Sequence, residues 1–233
     1  MKNLVDIYPV IHVSDVARVR EQVRIATRHD VSGVFLIDHD GDDRRLLDSV
    51  EAVRCDHPDL FLGVNVIHRD IMDSLTVLAA RFPTDIPLNA IWTDNAGIDV
   101  ASGIDPFPQL QQKRTETGWT GTHFGGIAFK YQNPVPDADL PALGELAARY
   151  VDVPTTSGAG TGHPAPITKL EGLRAGLGDH PLAVASGVSA SNIQSICKNV
   201  DYALVSTGIN NESDEIDESK LAELLDRARS TEG

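Results

Sequence analysis

Basic residues are scarce in this chain, and lysine is scarce among them. Lysine and arginine together number 20 against 34 aspartates and glutamates, which gives a formal net charge of −14. Nucleic acids bind to basic surfaces, so this balance argues against a nucleic acid as a partner. Any phosphate site must therefore rely on backbone amides and on one of six lysines, which are Lys2, Lys113, Lys130, Lys169, Lys198 and Lys220.

Cysteines and long apolar runs are also few. Cys55 and Cys197 are the only cysteines, and they match no metal-ligand or redox spacing. No run of about 18 apolar residues occurs, which argues against a membrane-spanning helix. The first residues enter a strand-like run directly, without the apolar region and cleavage site of a signal peptide. We therefore expect a cytoplasmic protein that has no membrane partner and needs neither a metal nor a cofactor.

What the chain does contain is a regular alternation of strand-like and helical patterns. Eight strand-like runs can be counted, at residues 7–13, 31–38, 61–67, 88–93, 123–129, 150–155, 182–185 and 202–205. Alternation of strands with helices predicts a parallel sheet, and eight repeats in a chain of this length predict closure. The predicted fold is α/β, a single (β/α)8 TIM barrel over residues 1–233. A doubly wound open sheet is the alternative.

The stretch 181–210 predicts an anion site. Two apolar runs end in small-residue turns, the first at Ser186 and Gly187 and the second at Thr207 and Gly208. Backbone amides at such turns bind phosphate without a charged side chain, and the loops after strands seven and eight are where barrels place that site. The alternative is that these are ordinary α/β loops, which are rich in glycine and serine.

Polar residues also follow several of the other predicted strands, where a barrel carries its catalytic groups. Asp38 and Asp94 are candidates for proton transfer, although Asp38 could belong to a solvated acidic turn and Asp94 could make only an Asx-turn. Lys130 ends an apolar strand, so it could counter a phosphate, polarise a carbonyl or act as a nucleophile. The alternative for Lys130 is a side chain that extends into solvent beside Tyr131.

The loops suggest how a substrate is oriented and which chemistries are absent. Candidate substrate-binding residues are Asn65 at the third strand and five residues around the Gly-rich segment 157–162, namely Thr156, Ser157, Gly158, Thr161 and Gly162. His12 has no second histidine nearby on its strand, which argues against a catalytic metal. Neither a Ser-His-Asp order nor a nucleophile-elbow motif is present.

Four segments resemble the BtpA (BtpA/SgcQ) family. They are LGVNVIHRD at 62–70, TTSGAGTGHP at 155–164, ASGVSASNI at 185–193 and DYALVSTGI at 201–209. The resemblance runs from the third strand onward and implies a phosphate-binding TIM barrel. The first two strands and FGGIAFKYQ at 124–132 depart from the family pattern, which suggests a divergent member.

Together these patterns predict an enzyme that acts on a small phosphorylated metabolite, such as a sugar phosphate or a nucleotide-like compound. Isomerisation, aldol-type cleavage and N-glycosidic chemistry all remain open. The alternative is a barrel that binds such a metabolite without turnover and serves as an assembly or stability factor, as the family's link to photosystem biogenesis suggests. A metal-dependent hydrolase is a third possibility. The amphipathic helices leave room for a homo-oligomer.

Overall fold

The computed structural model describes residues 5–98 and 107–230 and forms one closed parallel barrel. Its strands follow the order of the chain, and the last pairs with the first. They are β1 (Asp6–His12), β2 (Val34–Ile37), β3 (Leu62–Asn65), β4 (Ala90–Thr93), β5 (Thr122–Gly126), β6 (Val153–Ser157), β7 (Ala183–Ala185) and β8 (Tyr202–Val205). The closed sheet confirms the predicted (β/α)8 TIM barrel and excludes the doubly wound alternative.

A helix follows each strand. The helices are α1 (Val16–Arg28), α2 (Asp43–Asp56), α3 (Ile71–Arg81), α4 (Phe107–Thr117), α5 (Leu140–Tyr150), α6 (Ile167–Leu177), α7 (Ile193–Ile196) and α8 (Glu218–Arg229), with a short 3-10 turn at Asp137–Asp139. Aspartates begin several of them, because their side chains accept hydrogen bonds from the first amides. Asp15, Asp42, Asp70 and Asp217 cap α1, α2, α3 and α8 in this way.

The interior of the barrel is filled by aromatic rings. Tyr8, Phe35 and Phe124 are buried, and the ring of Phe35 lies edge-on to the other two at 5.6 Å and 5.2 Å. Trp92 packs against the same cluster, 6.4 Å from Phe35. A second apolar layer lies between the sheet and the helices. The rings fill the inside of the barrel beneath the carboxyl ends of the strands, and open space remains at those ends.

Several strands are shorter than the predicted runs, and two of the differences move site residues. The run 123–129 was expected to be strand throughout, but β5 ends at Gly126 and Ala128 has a φ of +43°, which an extended strand does not allow. The run 150–155 was expected to begin the sixth strand at Tyr150, which instead ends α5. Strand β6 therefore extends to Ser157 and includes Thr156. Within the described ranges, every helix is too short or too polar to cross a membrane.

Candidate functional site

A cavity of about 530 Å³ opens at the carboxyl ends of the strands. Apolar residues of β1, β2, β4 and β8 lie beneath it, namely Val10, Ile37, Trp92 and Leu204. Polar residues from strand ends and loops surround it, and these are His12, His39, His68, Asp94, Asn95, Lys130, Gln132, Thr161, Ser186, Ser206 and Thr207. An apolar floor with converging polar groups is typical of a small-molecule site.

Asp94 lies in the cavity and is held from two sides. The side-chain amide of the buried Asn65 donates to Oδ1 of Asp94 at 3.0 Å. Gln132 donates through Nε2 to the backbone carbonyl of Asp94 at 2.9 Å. The Asx-turn that was the alternative role for Asp94 is made by its neighbour, since Oδ1 of Asn95 accepts from the amide of Gly97 at 2.8 Å. The carboxylate of Asp94 is therefore fixed beside the cavity, and the hydrogen bond from Asn65 holds its orientation.

Lys130 also lines the cavity. Its amide donates to Oγ of Ser157 at 2.7 Å, which anchors the chain just below the side chain. Nζ lies 3.3 Å from Oγ1 of Thr161 and 5.8 Å from the ring centres of Phe129 and Tyr131. Among the described residues no carboxylate forms an ion pair with this ammonium group. Lys130 is thus the cation that the cavity offers to an anionic ligand.

The turns after β7 and β8 pack directly against each other and against the loop after β6. A Cβ at Gly208 would lie 1.9 Å from the carbonyl oxygen of Val188, and a Cβ at Gly187 would lie 2.2 Å from the backbone nitrogen of Pro164. Ser186 and Gly187 both have a φ near +70° (72° and 67°), the left-handed region in which glycine is favoured. Only backbone fits between these turns.

Several amides at these turns have no protein partner. Across the described residues, the backbone N–H groups of Ser186, Gly187, Thr207 and Gly208 donate to no protein acceptor. Ser186 and Thr207 line the cavity, as do Thr161 and Gly162 from the loop after β6. Unsatisfied amides grouped at one edge of a cavity are the feature by which backbone binds an anion.

Other predicted substrate-binding residues lie behind the cavity wall. Thr156 and Ser157 are fully buried; Oγ1 of Thr156 donates to the carbonyl of Ala128 at 3.3 Å, and Oγ of Ser157 donates to the carbonyl of Gly158 at 3.0 Å. Gly158 lies against the backbone of His163, where a Cβ would approach the carbonyl oxygen to 2.1 Å. These three residues shape the loop after β6, and Thr161 and Gly162 are its part that reaches the cavity.

Asp38 forms an ion pair outside the cavity lining. Its buried carboxylate accepts from Nε and Nη2 of Arg45 at 2.6 Å and 2.7 Å and from the amide of Asp40 at 2.9 Å. Burial raises the pKa of Asp38, but the hydrogen bonds from Arg45 and Asp40 outweigh it, so the pKa lies below its usual value. A carboxylate paired in this way joins the end of β2 to the first turn of α2.

A histidine cluster outside the predicted site residues lies at the ends of β1, β2 and β8. Nδ1 of His12 hydrogen-bonds the carboxylate of Asp214. Nε2 of His12 lies 3.1 Å from Oγ of Ser206 and 3.3 Å from Nε2 of His39. The two imidazole rings stand edge to face at 4.5 Å. His12, His39 and Ser206 all line the cavity.

Asn210 connects the members of this cluster. Its side-chain nitrogen donates to Oγ of Ser206 at 3.1 Å and to Oδ1 of Asp214 at 2.9 Å. Asp214 has a φ of +60°, a conformation that aspartate and asparagine tolerate better than most residues. Burial, followed by the neighbouring His12 and Lys130, lowers the pKa of His39, so its imidazole is neutral near pH 7.

A second, smaller cavity of about 230 Å³ lies on the other side of the histidines. His12, His39 and Asp214 line it, together with Arg18 and Glu215. Among the described residues, no group of three or more histidine, cysteine, aspartate or glutamate side chains is arranged to hold a metal ion.

Comparison with known proteins supports the fold but gives no family. No protein-family model matches this chain, and no curated protein matches it. The resemblance to the BtpA family therefore stays a prediction. Many solved structures share the fold at low sequence identity.

Three of these structures indicate how broad the likeness is. (S)-3-O-geranylgeranylglyceryl phosphate synthase from Thermoplasma acidophilum, solved with its substrate sn-glycerol-1-phosphate, is 13% identical with a TM-score of 0.68, covering 98% of this chain and 94% of that one. A native KDPGal structure is 12% identical with a TM-score of 0.67, covering 99% and 98%. Phosphoribosyl anthranilate isomerase from Thermus thermophilus is 14% identical with a TM-score of 0.64, covering 96% and 98%. At these identities the likeness shows the barrel alone.

Proposed function

We propose that this protein is an enzyme that acts on a small phosphorylated metabolite at the carboxyl end of its barrel. The observation that carries the proposal is the pairing of two features in one cavity. Unpartnered backbone amides lie at the turns after β7 and β8, and the ammonium group of Lys130 lies on the wall beside Thr161. Together they suit a ligand with a phosphate at one end and a reactive polar group at the other.

The phosphate would bind at the turns that contain Ser186, Gly187, Thr207 and Gly208. Two of these residues line the cavity, and the amides of all four lack a protein acceptor within the described ranges. In a protein with a net charge of −14, binding through neutral amides limits the number of cations that the site needs. A solved barrel of similar fold is an enzyme in complex with its substrate sn-glycerol-1-phosphate, which supports a phosphorylated ligand.

The reacting part of the ligand would lie between Lys130 and Asp94. Lys130 would stabilise negative charge that develops on a carbonyl or leaving oxygen, and the carboxylate of Asp94 would accept or return a proton. Asn65 would act as a positioning residue, because its amide holds Oδ1 of Asp94. Asp38 is less suited to proton transfer than Asp94, since both of its oxygens are engaged by Arg45.

These roles suit an isomerase, a lyase or an enzyme of N-glycosidic chemistry, and a cavity of about 530 Å³ is in the size range of small-molecule sites. The resemblance of residues 155–164 and 185–209 to the BtpA family supports the phosphate-binding part of the proposal. The second candidate is a barrel that binds the same metabolite without turnover. The presence of Asp94 and Lys130 in the cavity favours the enzyme, because capture of a phosphate by amides requires neither.

Native mass spectrometry of gently purified protein, followed by calorimetric titration with inorganic phosphate, tests the phosphate site. The matched variants are Thr207→Asp, at the cavity, and Thr120→Asp, in the exposed loop before β5 at the opposite face. We expect phosphate binding to weaken about tenfold or more in Thr207→Asp because of like-charge repulsion, and to be unchanged in Thr120→Asp. Equal binding by the two variants would place the phosphate elsewhere.

Turnover separates the two candidate functions. Any phosphorylated compound that co-purifies should be converted by the wild-type protein, and Lys130→Ala should slow that conversion while Thr120→Asp leaves it intact. Binding of the compound without conversion under these conditions would favour the non-catalytic assembly factor.

A further inference from the structure

Ser206, His12 and Asp214 form a connected series of side chains at the edge of the cavity. Oγ of Ser206 lies 3.1 Å from Nε2 of His12, and Nδ1 of the same ring hydrogen-bonds the Asp214 carboxylate. A carboxylate can only accept, so the proton sits on Nδ1 and the lone pair of Nε2 faces the serine hydroxyl. The hydroxyl of Ser206 then donates a hydrogen bond to Nε2 of His12, as in a serine that is activated by an adjacent base.

We propose that Ser206 is a nucleophile, that His12 is its general base and that Asp214 positions His12, which gives the protein an acyl-transfer activity toward small carboxylic esters. This activity goes beyond the phosphate chemistry proposed above and does not depend on it. The nucleophile and base line the 530 Å³ cavity, so an ester that enters the cavity meets both.

Two backbone amides next to Ser206 would hold the developing oxyanion in this proposal. The amides of Thr207 and Gly208 donate to no protein acceptor in the described part of the chain. In α/β-hydrolases the residue after the nucleophile contributes one oxyanion-hole amide, and Thr207 occupies the same place relative to Ser206. An amide that can hold a phosphate oxygen can also hold the oxygen of a tetrahedral intermediate.

Two further residues of the cluster hold the side chains of Ser206, His12 and Asp214 in place. Asn210 is buried and donates to both Ser206 Oγ and Asp214 Oδ1, which fixes the serine and the carboxylate relative to each other. The ring of His39 packs edge to face with that of His12 at 4.5 Å, with its Nε2 3.3 Å from Nε2 of His12, and restricts rotation of the His12 ring. Asn210 and His39 are positioning residues in this arrangement, because they act through His12, Ser206 and Asp214.

The steps balance without a cofactor. Oγ of Ser206 attacks the ester carbonyl carbon while its proton passes to Nε2 of His12. The C–O bond of the tetrahedral intermediate breaks, and His12 returns the proton to the departing alkoxide, which leaves as an alcohol. Water attacks the acyl-serine with His12 again as base, which releases a carboxylic acid and restores the serine. Asp214 stabilises the transient imidazolium throughout.

Labelling with a fluorophosphonate probe tests the proposal without knowledge of the natural ester. Attack by Ser206 forms an O–P bond and releases fluoride, and peptide mass spectrometry locates the adduct. We expect one adduct per chain on Ser206, its absence in Ser206→Ala, and labelling of the exposed-serine control Ser191→Ala at the wild-type rate. No adduct on Ser206 in the wild-type protein would overturn the proposal.

Two further variants separate chemistry from folding. Asp214→Asn keeps a residue that tolerates the positive φ but removes the carboxylate, so His12 loses the tautomer that faces Ser206. His12→Gln removes the base. We expect labelling rates to fall by about two orders of magnitude or more in both, with unchanged thermal unfolding midpoints. Wild-type rates in either folded variant would overturn the roles of these residues.

Inorganic phosphate distinguishes this proposal from the proposed function. If phosphate binds at the turn after β8, it occupies the amides of Thr207 and Gly208 and should slow the labelling of Ser206. Labelling that phosphate does not slow supports the nucleophile and contradicts the phosphate position. Phosphate binding that weakens in Thr207→Asp, together with an unreactive Ser206, supports the phosphate site and refutes the nucleophile.

Discussion

The side-chain amide of Asn65 donates to Oδ1 of Asp94 at 3.0 Å, across the ends of two neighbouring strands. Asn65 is buried with 2% of its surface exposed, whereas Asp94 faces the cavity. A buried neutral donor therefore supports a carboxylate that a ligand can reach. The pair is also sensitive to charge, because a second carboxylate at position 65 would be buried beside that of Asp94 and repelled by it.

Asn65→Asp should destabilise the protein at neutral pH. Two carboxylates about 3 Å apart in a partly dry site repel each other, and a loss of about 3 kcal/mol in the free energy of unfolding is expected. The loss should shrink as the pH falls and be small by pH 4, because burial and the neighbouring carboxylate raise the pKa of the new carboxyl and make it take up a proton early. Urea unfolding at pH 7.5 and pH 4 measures both values. Asn65→Leu, which removes the hydrogen bond without adding charge, should show a deficit that changes little with pH.

Asp38→Asn should lower stability and leave the cavity functional. The change removes one partner of a buried ion pair with Arg45, which costs about 3 kcal/mol. The folded pKa of Asp38 is depressed, so its contribution to stability is present above the unfolded value near 3.8 and is lost as the pH falls further. Guanidinium unfolding across pH 7 to 3 should therefore show the two proteins converging in acid. Loss of phosphate binding in a folded Asp38→Asn variant would contradict this structural role.

His123 should make the protein sensitive to mild acid. This histidine of β5 is buried, its Nε2 shares a hydrogen bond of 2.8 Å with Oγ1 of Thr93, and burial lowers its pKa to about 4. Since the unfolded pKa is near 6.5, the unfolded chain takes up the proton first. Stability is fully present above pH 6.5 and should fall by about 1.4 kcal/mol per pH unit toward pH 4 from this group alone.

The variant His123→Gln isolates that contribution. Glutamine can keep the hydrogen bond to Thr93 but does not titrate, so the acid slope between pH 6.5 and 4 should be shallower than in the wild-type protein. Denaturant midpoints at half-unit intervals of pH would show the difference. Parallel curves would mean that the pKa of His123 is the same in the folded and unfolded chains, which would contradict the prediction.

Gly208→Ala should distort the turn after β8. The added Cβ would lie 1.9 Å from the carbonyl oxygen of Val188, which is backbone and can move only with its turn. We expect a loss of about 2 kcal/mol or more and weaker binding of inorganic phosphate. The control is Gly118→Ala, where φ is +69° but no atom lies within 4 Å of the added Cβ. That change should cost about 1 kcal/mol and leave phosphate binding as it was.

The sequence predicted the fold because the information for it is local. Apolar runs such as 182–185 and 202–205, each followed by a helical pattern, are properties of adjacent residues, and repetition of the unit implies closure. The ends of strands were less predictable where an apolar run continued beyond the last residue of the strand. The run 123–129 is apolar throughout, yet Ala128 adopts a left-handed conformation that no neighbouring residue signals.

Some of the residues that line the cavity were selected from the sequence. Asp94, Lys130 and Thr207 could be selected because each follows a predicted strand, and all three line the cavity. Asp38 met the same criterion, but its ion pair with Arg45 depends on the geometry of one loop. The cluster of His12, Ser206 and Asp214 joins residues about two hundred positions apart, and no order or spacing motif describes it. Two of its members do carry a sequence signal: His12 is a histidine at the end of the first strand, and Ser206 is a hydroxyl residue at the end of the last.

The close backbone packing at Gly187 and Gly208 limits how this site can diversify. A side chain at either position would collide with neighbouring main chain, so substitution there cannot adjust which ligands bind. Lys130 and Tyr131 project from the loop after β5, and Tyr131 is 81% exposed at the rim. Relatives of this protein that acquire new substrates should therefore keep glycine at the positions of Gly187 and Gly208. They should instead vary the positions of Lys130 and Tyr131, where new side chains contact only solvent and ligand.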